Sequence, residues 1–273
     1  MLRQRVITAV ILLPPVLAAA LWLPDRWLAA VLALAALIAA LEWATLSARL
    51  GSSLRIGYAA VVAVLAYALA VAGSGRLAQA ANLLLWFAGF AWLLAPLLLF
   101  RYPRGFAPGR GWRRLAAGVL MLPAAVIGLL HARDAALGVA GLPVLLALVW
   151  AADIAAYFAG HAFGRHPLAP ALSPGKTWEG FAGGMLGALI VGVIAGALLP
   201  GVPRAWPEWL ALCLVTAAIS VVGDLCESLL KRLAGVKDSG ALLPGHGGLL
   251  DRIDSLIAAA PVFAAGLHAL GLG

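Results

Sequence analysis

The chain has 273 residues, of which 64% are hydrophobic and only 11% charged, and its mean hydropathy is +1.03. Soluble domains carry about 25% charged residues, so this composition excludes an ordinary soluble fold and makes lipid the solvent over most of the surface. The net charge of +8 is spread along the loops, which suits anionic headgroups and membrane topology rather than nucleic acid.

Only helices and closed barrels span a bilayer, and each helical span needs roughly 20 mostly apolar residues. The apolar runs here are long and continuous rather than alternating, so the expected class is all-α. Nine spans are predicted, at about 6–23, 28–48, 57–73, 82–100, 115–131, 136–162, 181–200, 207–230 and 252–271. The first resembles a signal peptide but has no clear small-residue cleavage site and contains Pro14-Pro15, so it is read as a retained span. The whole chain, 1–273, reads as one integral membrane domain. With nine spans, 15 of the 19 Lys and Arg fall on the N-terminal side of the membrane, and Arg26, Arg76, Arg133 and Arg204 fall opposite. Positive charge stays inside, which predicts a cytoplasmic N-terminus. Trp22, Trp27, Trp112, Trp206 and Trp209 lie near span ends, as an aromatic belt requires. Cys213 and Cys226 sit in apolar helix and give neither a disulfide framework nor a zinc site.

Chemistry-bearing residues concentrate between 153 and 254. Asp153, Tyr157, Gly160 and Gly164 share one helical face. Small residues there admit a close neighbouring helix, whereas an intramembrane acid such as Asp153 is a functional candidate by default. The segment Ser173-Pro174-Gly175-Lys176-Thr177-Trp178-Glu179-Gly180 contains Gly-Lys-Thr. A Walker loop is rejected, because its first glycine would be at Pro170 and no strand is expected before it. Ser173, Lys176 and Thr177 can still bind phosphate singly.

Five of the 11 acids (Asp224, Glu227, Asp238, Asp251 and Asp254) lie between Asp224 and Asp254, with Lys231, Arg232, Lys237 and Arg252 among them. Asp224, Glu227, Ser228 and Lys231 make one polar helical stripe, facing a wet cleft, a metal or a partner unless the helix end simply snorkels. Asp251 and Asp254 open the last span, where carboxylates also suit the helix dipole. Converging carboxylates require a cation, and oxygen ligands alone select Mg²⁺, Mn²⁺ or Ca²⁺. His246 is the one plausible soft ligand. Pro244-Gly245-His246-Gly247-Gly248 is a turn whose N–H groups can cradle phosphate. Glu42 has two open readings: a pair with a basic residue, or a seat near the interface. The arginine-rich loop 101–114 fits either anionic lipid or plain topology.

The run from Ser228 through Lys237-Asp238-Ser239-Gly240-Ala241-Leu242-Leu243-Pro244-Gly245-His246-Gly247-Gly248-Leu249-Leu250-Asp251-Arg252-Ile253-Asp254 resembles the signature of phosphatidate cytidylyltransferases (CDP-diacylglycerol synthases) without departure. Asp153 to Gly180 is similar to the family's preceding motif, and Arg3-Gln4-Arg5-Val6-Ile7-Thr8 to its usual start. The resemblance implies a multi-helix membrane enzyme, commonly a dimer, that joins CTP and phosphatidate with Mg²⁺ at a cytoplasm-facing site in the bacterial inner membrane. It matches Asp224 and Asp251 to the metal-binding acids. Lys237, Asp238, His246, Arg252 and Asp254 match the rest of the catalytic signature. Asp153, Tyr157, Ser173, Lys176, Thr177, Ser228, Lys231, Arg232, Gly247 and Gly248 are the expected substrate contacts. Two rivals stand beside this reading: an ion-coupled carrier using the intramembrane acids as relays, and a cytidylyltransferase for another lipid phosphate.

The charge asymmetry gives a topology test. A reporter active only outside the cytoplasm is expected to signal when fused at Gly273 and to stay silent when fused after Gly109; the reverse pattern would overturn the orientation.

Overall fold

The structure is a computed structural model and describes residues 14–100, 102, 111–134, 137–199, 202, 206–240 and 247–272. The helices in chain order are α1 (14–22), α2 (Asp25–Ser47), α3 (Ser52–Ala70), α4 (Gly75–Leu99), α5 (Gly111–Asp134), α6 (Gly141–Phe163), α7 (Trp178–Leu198), α8 (Trp206–Ala234) and α9 (Leu250–Ala269). Seven of them, α2 to α8, are long and apolar enough to cross a membrane, which makes this an integral membrane protein. The predicted first span lies partly outside the described residues. The α9 helix is not among the seven, because Asp251, Arg252 and Asp254 occupy its first two turns.

Most helices start earlier than the apolar runs suggest. The α4 helix begins at Gly75 rather than near 82, and α3 at Ser52 rather than near 57. Hydropathy marks where the chain enters hydrocarbon, whereas the backbone ladder continues into the interface. The exception is α6, expected from about 136. Gly138 adopts a positive φ of 58° and a 3₁₀ turn, Gly138–Ala140, precedes the helix at Gly141. Residues 163–180 also depart from the expected plain loop: β1 (Pro167–Ala169) and β2 (Ser173–Thr177) pair antiparallel as a hairpin. A short strand therefore does precede Gly175-Lys176-Thr177, but that tripeptide is itself in a strand, and the missing glycine still excludes a Walker loop.

The centre of the bundle is α9. Nearly every residue from Ile257 to Leu267 is buried, against α8, α5 and α4. Glycines permit this approach. A Cβ at Gly128 of α5 would lie 2.6 Å from the Ala260 carbonyl carbon, and one at Gly223 of α8 would lie 2.6 Å from the Asp254 carbonyl oxygen. The most extensive helix pair is α6 with α7. It is built from Gly180, Gly184 and Gly187 against Ala151, Ala152, Ala155 and Ala156, a small-residue seam of the kind that brings membrane helices together by dispersion and close packing. Outside, Phe87, Phe90, Leu93, Leu97, Leu186, Ile190 and Val193 are exposed, as lipid-facing side chains should be. Trp22, Trp27 and Trp112 are exposed at helix ends as predicted, but Trp209 is fully buried and donates to the Gly192 carbonyl at 2.8 Å. Trp209 therefore belongs to the core rather than the aromatic belt. Cys213 and Cys226 are free thiols.

Side-chain ties show which helix ends lie together. Arg114 Nη2, at the start of α5, donates to the Ser47 carbonyl at 2.6 Å, and Arg55 of α3 reaches Thr45 of α2. At the opposite end, Arg133 of α5 pairs with Asp25 at 2.9 Å and donates to the Leu23 carbonyl. This sidedness matches the grouping of loops predicted from the sequence.

The α6–α7 seam predicts a contrast between two glycines. In Gly187→Ala the new methyl would stand 2.7 Å from the Ala151 carbonyl and 2.8 Å from the Ala155 methyl, and overpacking of this kind costs about 1–3 kcal/mol. Gly57 of α3 has nothing within 4 Å, so Gly57→Ala should be neutral or stabilising by up to about 1 kcal/mol. Thermal melting in detergent should show a lower Tm for the first variant only.

Candidate active site

The hairpin, the C-terminal ends of α2, α6 and α8, and the N-terminal ends of α7 and α9 meet at one end of the bundle. Thr177 ends β2 and caps α7: its hydroxyl accepts the Gly180 N–H at 3.1 Å. Glu179, in the first turn of α7, accepts the Arg165 and His166 N–H groups at 3.1 and 3.2 Å and faces the His166 ring at 2.5 Å. The Arg232 guanidinium of α8 donates to the Leu172 carbonyl at the hairpin tip, 3.2 Å away. The hairpin is thereby held against α8. Lys176 on β2 consequently reaches Asp224 of α8, at 2.6 Å. Asp224 also accepts from Ser228 at 3.4 Å, one turn along the stripe.

Three cavities open around these residues. The first, about 490 Å³, is lined by Asp153, Tyr157, His161, Lys176, Thr177 and Asp224, with Gly160 and Gly180 among its walls. The second, about 380 Å³, is lined by four carboxylates, Asp153, Asp224, Asp251 and Asp254, together with Trp150, Arg252 and Leu256. Asp153 and Asp224 border both. The third, about 480 Å³, is apolar and lies between α1, α2, α5, α6 and α9, with Leu28, Leu32, Leu122 and Leu146 in its walls. It shares Trp150, Arg252 and Leu256 with the acidic cavity. Arg252 thus stands where a strongly polar space meets an oily one.

Asp251 is the most constrained of the acids. Its Oδ2 accepts the Ser239 N–H (3.0 Å), the Ser239 hydroxyl (2.9 Å) and the Gly248 N–H (2.8 Å), and its Oδ1 accepts Lys231 Nζ (2.7 Å). Lys231 also pairs with Glu227, which is buried one turn earlier on α8. The polar stripe of α8 therefore divides: Asp224 faces the cavities, while Glu227 and Lys231 turn inward toward α9. Gly247 adopts a positive φ of 79°, and a Cβ there would meet the Asp251 carboxylate at 2.6 Å.

The structure thus gathers Asp153, Tyr157, Lys176, Thr177, Asp224, Asp251, Arg252 and Asp254 around connected cavities. Lys231 serves as counter-ion to two carboxylates, Arg232 as a tie to the hairpin, and the Gly248 N–H is already engaged by Asp251. Ser173 opens β2 and lines neither polar cavity, and Lys237 and Asp238 are exposed in the turn after α8 and line neither. His246 lies outside the described residues, as do residues 241–245. Sequence reasoning left Glu42 undecided, although an acid inside a span is a signal in itself. Its carboxylate accepts the Leu249 and Leu250 N–H groups at 3.0 and 2.7 Å and the Ser239 hydroxyl at 2.9 Å. Trp150 and Leu256 carried no chemical signal and were not anticipated.

The four carboxylates around one cavity are the oxygen-rich donor set that hard cations take. Among the described residues no three acids, histidines or cysteines stand close enough to enclose an ion by themselves.

The sequence profile of the cytidylyltransferase family matches residues 3–270. The chain belongs to that family. Among similar proteins, one from Pseudomonas aeruginosa named phosphatidate cytidylyltransferase is 45% identical, the alignment covering 100% of this chain and 99% of the relative. One of the same name from Haemophilus influenzae is 40% identical over 96% of this chain and 97% of its own length. A third, from Brucella suis, is 40% identical over 63% of this chain and 70% of its own length.

Lys231 gives this site its stability test. Removing one partner of a buried ion pair leaves an uncompensated charge and costs about 3–5 kcal/mol. Lys231→Met should therefore lower the Tm in detergent markedly, and adding Glu227→Gln to it should restore part of the loss, because one of the two stranded charges is gone. Equal melting of Lys231→Met and wild type would overturn the counter-ion role.

Proposed function

We propose that this protein transfers the cytidylyl group of CTP to phosphatidate, releasing pyrophosphate and forming CDP-diacylglycerol. Family membership and 45% identity along the whole chain to a protein named for this activity support the reading. The observation that carries it here is the junction at Arg252, where the acidic cavity and the apolar cavity share a wall. A substrate with a phosphate head and two acyl chains needs both spaces at once.

The chemistry follows from charge. A phosphate monoester has its second pKa near 6, so phosphatidate arrives as its own nucleophile and needs no strong base. One of its oxygens forms a bond to the α-phosphorus of CTP, and the bond from that phosphorus to the β-bridging oxygen breaks in line. The obstacle is bringing a dianion to a triphosphate. Arg252 would receive the lipid phosphate at the cavity junction. Lys176 would exchange Asp224 for phosphate oxygens, and the space beside Tyr157 and His161 would take the nucleoside. Asp224 and Asp251 would hold Mg²⁺, which neutralises triphosphate charge when bound. Asp153 and Asp254 line the same space and would orient its water. Lys237, Asp238 and His246 belong to the same catalytic signature by the resemblance.

In this reading the chain crosses the bacterial inner membrane nine times with its N-terminus and active site cytoplasmic. CTP then enters from the cytoplasm and phosphatidate enters sideways from lipid. A homodimer is the assembly the resemblance implies.

Purified protein with labelled CTP, Mg²⁺ and a panel of lipid phosphates tests the substrate; turnover on a polyprenyl phosphate but none on phosphatidate would reassign it. Asp224→Asn and Asp251→Asn are expected to lower activity at least about tenfold and shift the Mg²⁺ dependence upward, with Asp254→Asn milder. Lys176→Ala should raise the Michaelis constant for CTP or phosphatidate, or lower turnover, in a protein that stays folded. Wild-type turnover and Mg²⁺ dependence in both Asp224→Asn and Asp251→Asn would remove the metal assignment.

A further inference from the structure

We propose that Glu42, on α2, is a positioning residue for the reaction: it fixes the start of α9 and through it the placement of Asp251 and Arg252. The N-terminus of a helix carries N–H groups with no partner inside the helix. Leu249, at the N-cap of α9, supplies no side-chain cap. The cap comes instead from a residue far earlier in the chain, since Glu42 Oε1 accepts the Leu249 N–H and Oε2 accepts the Leu250 N–H. A carboxylate also suits the positive end of the helix dipole.

Two further observations tie Glu42 to the site rather than to general packing. The Ser239 hydroxyl lies 2.9 Å from Glu42 Oε2 and 2.9 Å from Asp251 Oδ2. Its single proton goes to one of them at a time, and it joins the two carboxylates either way. The signature glycines are also shaped around Glu42: a Cβ on Gly240 would stand 2.6 Å from Glu42 Oε1, and one on Gly248 would stand 2.6 Å from its carboxyl carbon. Gly240 and Gly248, the second of them in the turn that the sequence suggests as a phosphate cradle, thus form a seat for an internal carboxylate.

Further along, α9 is held by buried Ile257, Val262, Phe263 and Leu267 and by close approach to Gly223 of α8. Its first turn, which carries Asp251 and Arg252, is held at its free N–H groups by the directional hydrogen bonds to Glu42. A displacement of about 1 Å in a catalytic group can cost about a hundredfold in rate.

Glu42→Gln replaces one acceptor oxygen with an amide that faces N–H donors. Its turnover should fall about tenfold or more, with the Michaelis constant for CTP within about twofold of wild type. Hydrogen exchange should quicken in the segment 247–255 and stay unchanged in α3 and α7. Combined with Asp251→Asn, it should cost little beyond Asp251→Asn alone, because both changes act on the same group. Gly240→Ala, which crowds the carboxylate while keeping it, should reproduce the exchange change. Unaltered exchange at 247–255, additive losses, or exchange raised across all helices would overturn the proposal, as would failure of both variants to fold. The turnover measurement rests on the cytidylyltransferase reading, but the exchange measurement does not. A wild-type protein inert on every lipid phosphate would therefore sink the function and leave Glu42 still judged by exchange.

Discussion

Ionised side chains at the edge of a membrane protein have to be answered from within the protein, and this requirement organises the active end of the bundle. Asp251 shows it most fully: one oxygen takes three donors from two loop residues, and the other takes Lys231. Lys231 in turn answers buried Glu227. Lys176 answers Asp224 across the interface between the hairpin and α8. Lys176 with Asp224 joins β2 to α8, and Lys231 with Asp251 joins α8 to α9, so satisfying the charges also assembles the site. A buried pair adds little net stability against an apolar alternative; its larger effect here is to allow only one arrangement of β2, α8 and α9.

The apolar part of the fold follows a different rule. Between helices in lipid there is no hydrophobic driving force, because the lipid tails are as apolar as leucine. Cohesion comes from close approach, and the sequence provides it with glycine and alanine along the α6–α7 seam and where α9 meets Gly128 and Gly223. The α9 helix is enclosed by protein along residues 257–267, and its first turns carry three charged residues, Asp251 and Asp254 lining the acidic cavity and Arg252 bordering both cavities. Central placement and polar cargo are therefore linked: a lipid-facing helix would bear the cost of those charges, and an enclosed one can direct them into a cavity.

Function emerges where two solvents meet. The acidic cavity and the apolar cavity share Trp150, Arg252 and Leu256 in their walls. An enzyme that joins a water-soluble triphosphate to a lipid phosphate has to hold both substrates at one boundary, and in the proposed reading that boundary is the first two turns of α9 together with Trp150 of α6.

The sequence by itself determined the class and the chemical inventory. Continuous apolar runs can only be helices in lipid, the uneven distribution of Lys and Arg groups the loops, and carboxylates this rare in so apolar a chain mark the site. It also singled out Asp153, Lys176, Asp224, Asp251, Arg252 and Asp254 as candidates by type and spacing, and all six line the polar cavities. Only the tertiary structure decided how these residues divide their work. Asp224 and Lys231 lie on one predicted stripe, yet Asp224 lines the cavities while Lys231 pairs with Glu227 and Asp251. Gly248 read as a phosphate cradle, but its amide answers Asp251 and its missing side chain makes room for Glu42. Glu42 and Leu250 are separated by most of the chain, and no local pattern links them. Their contact exists because α2 packs beside α8 and α9, and a hydrogen bond formed by packing leaves no periodic trace in either segment.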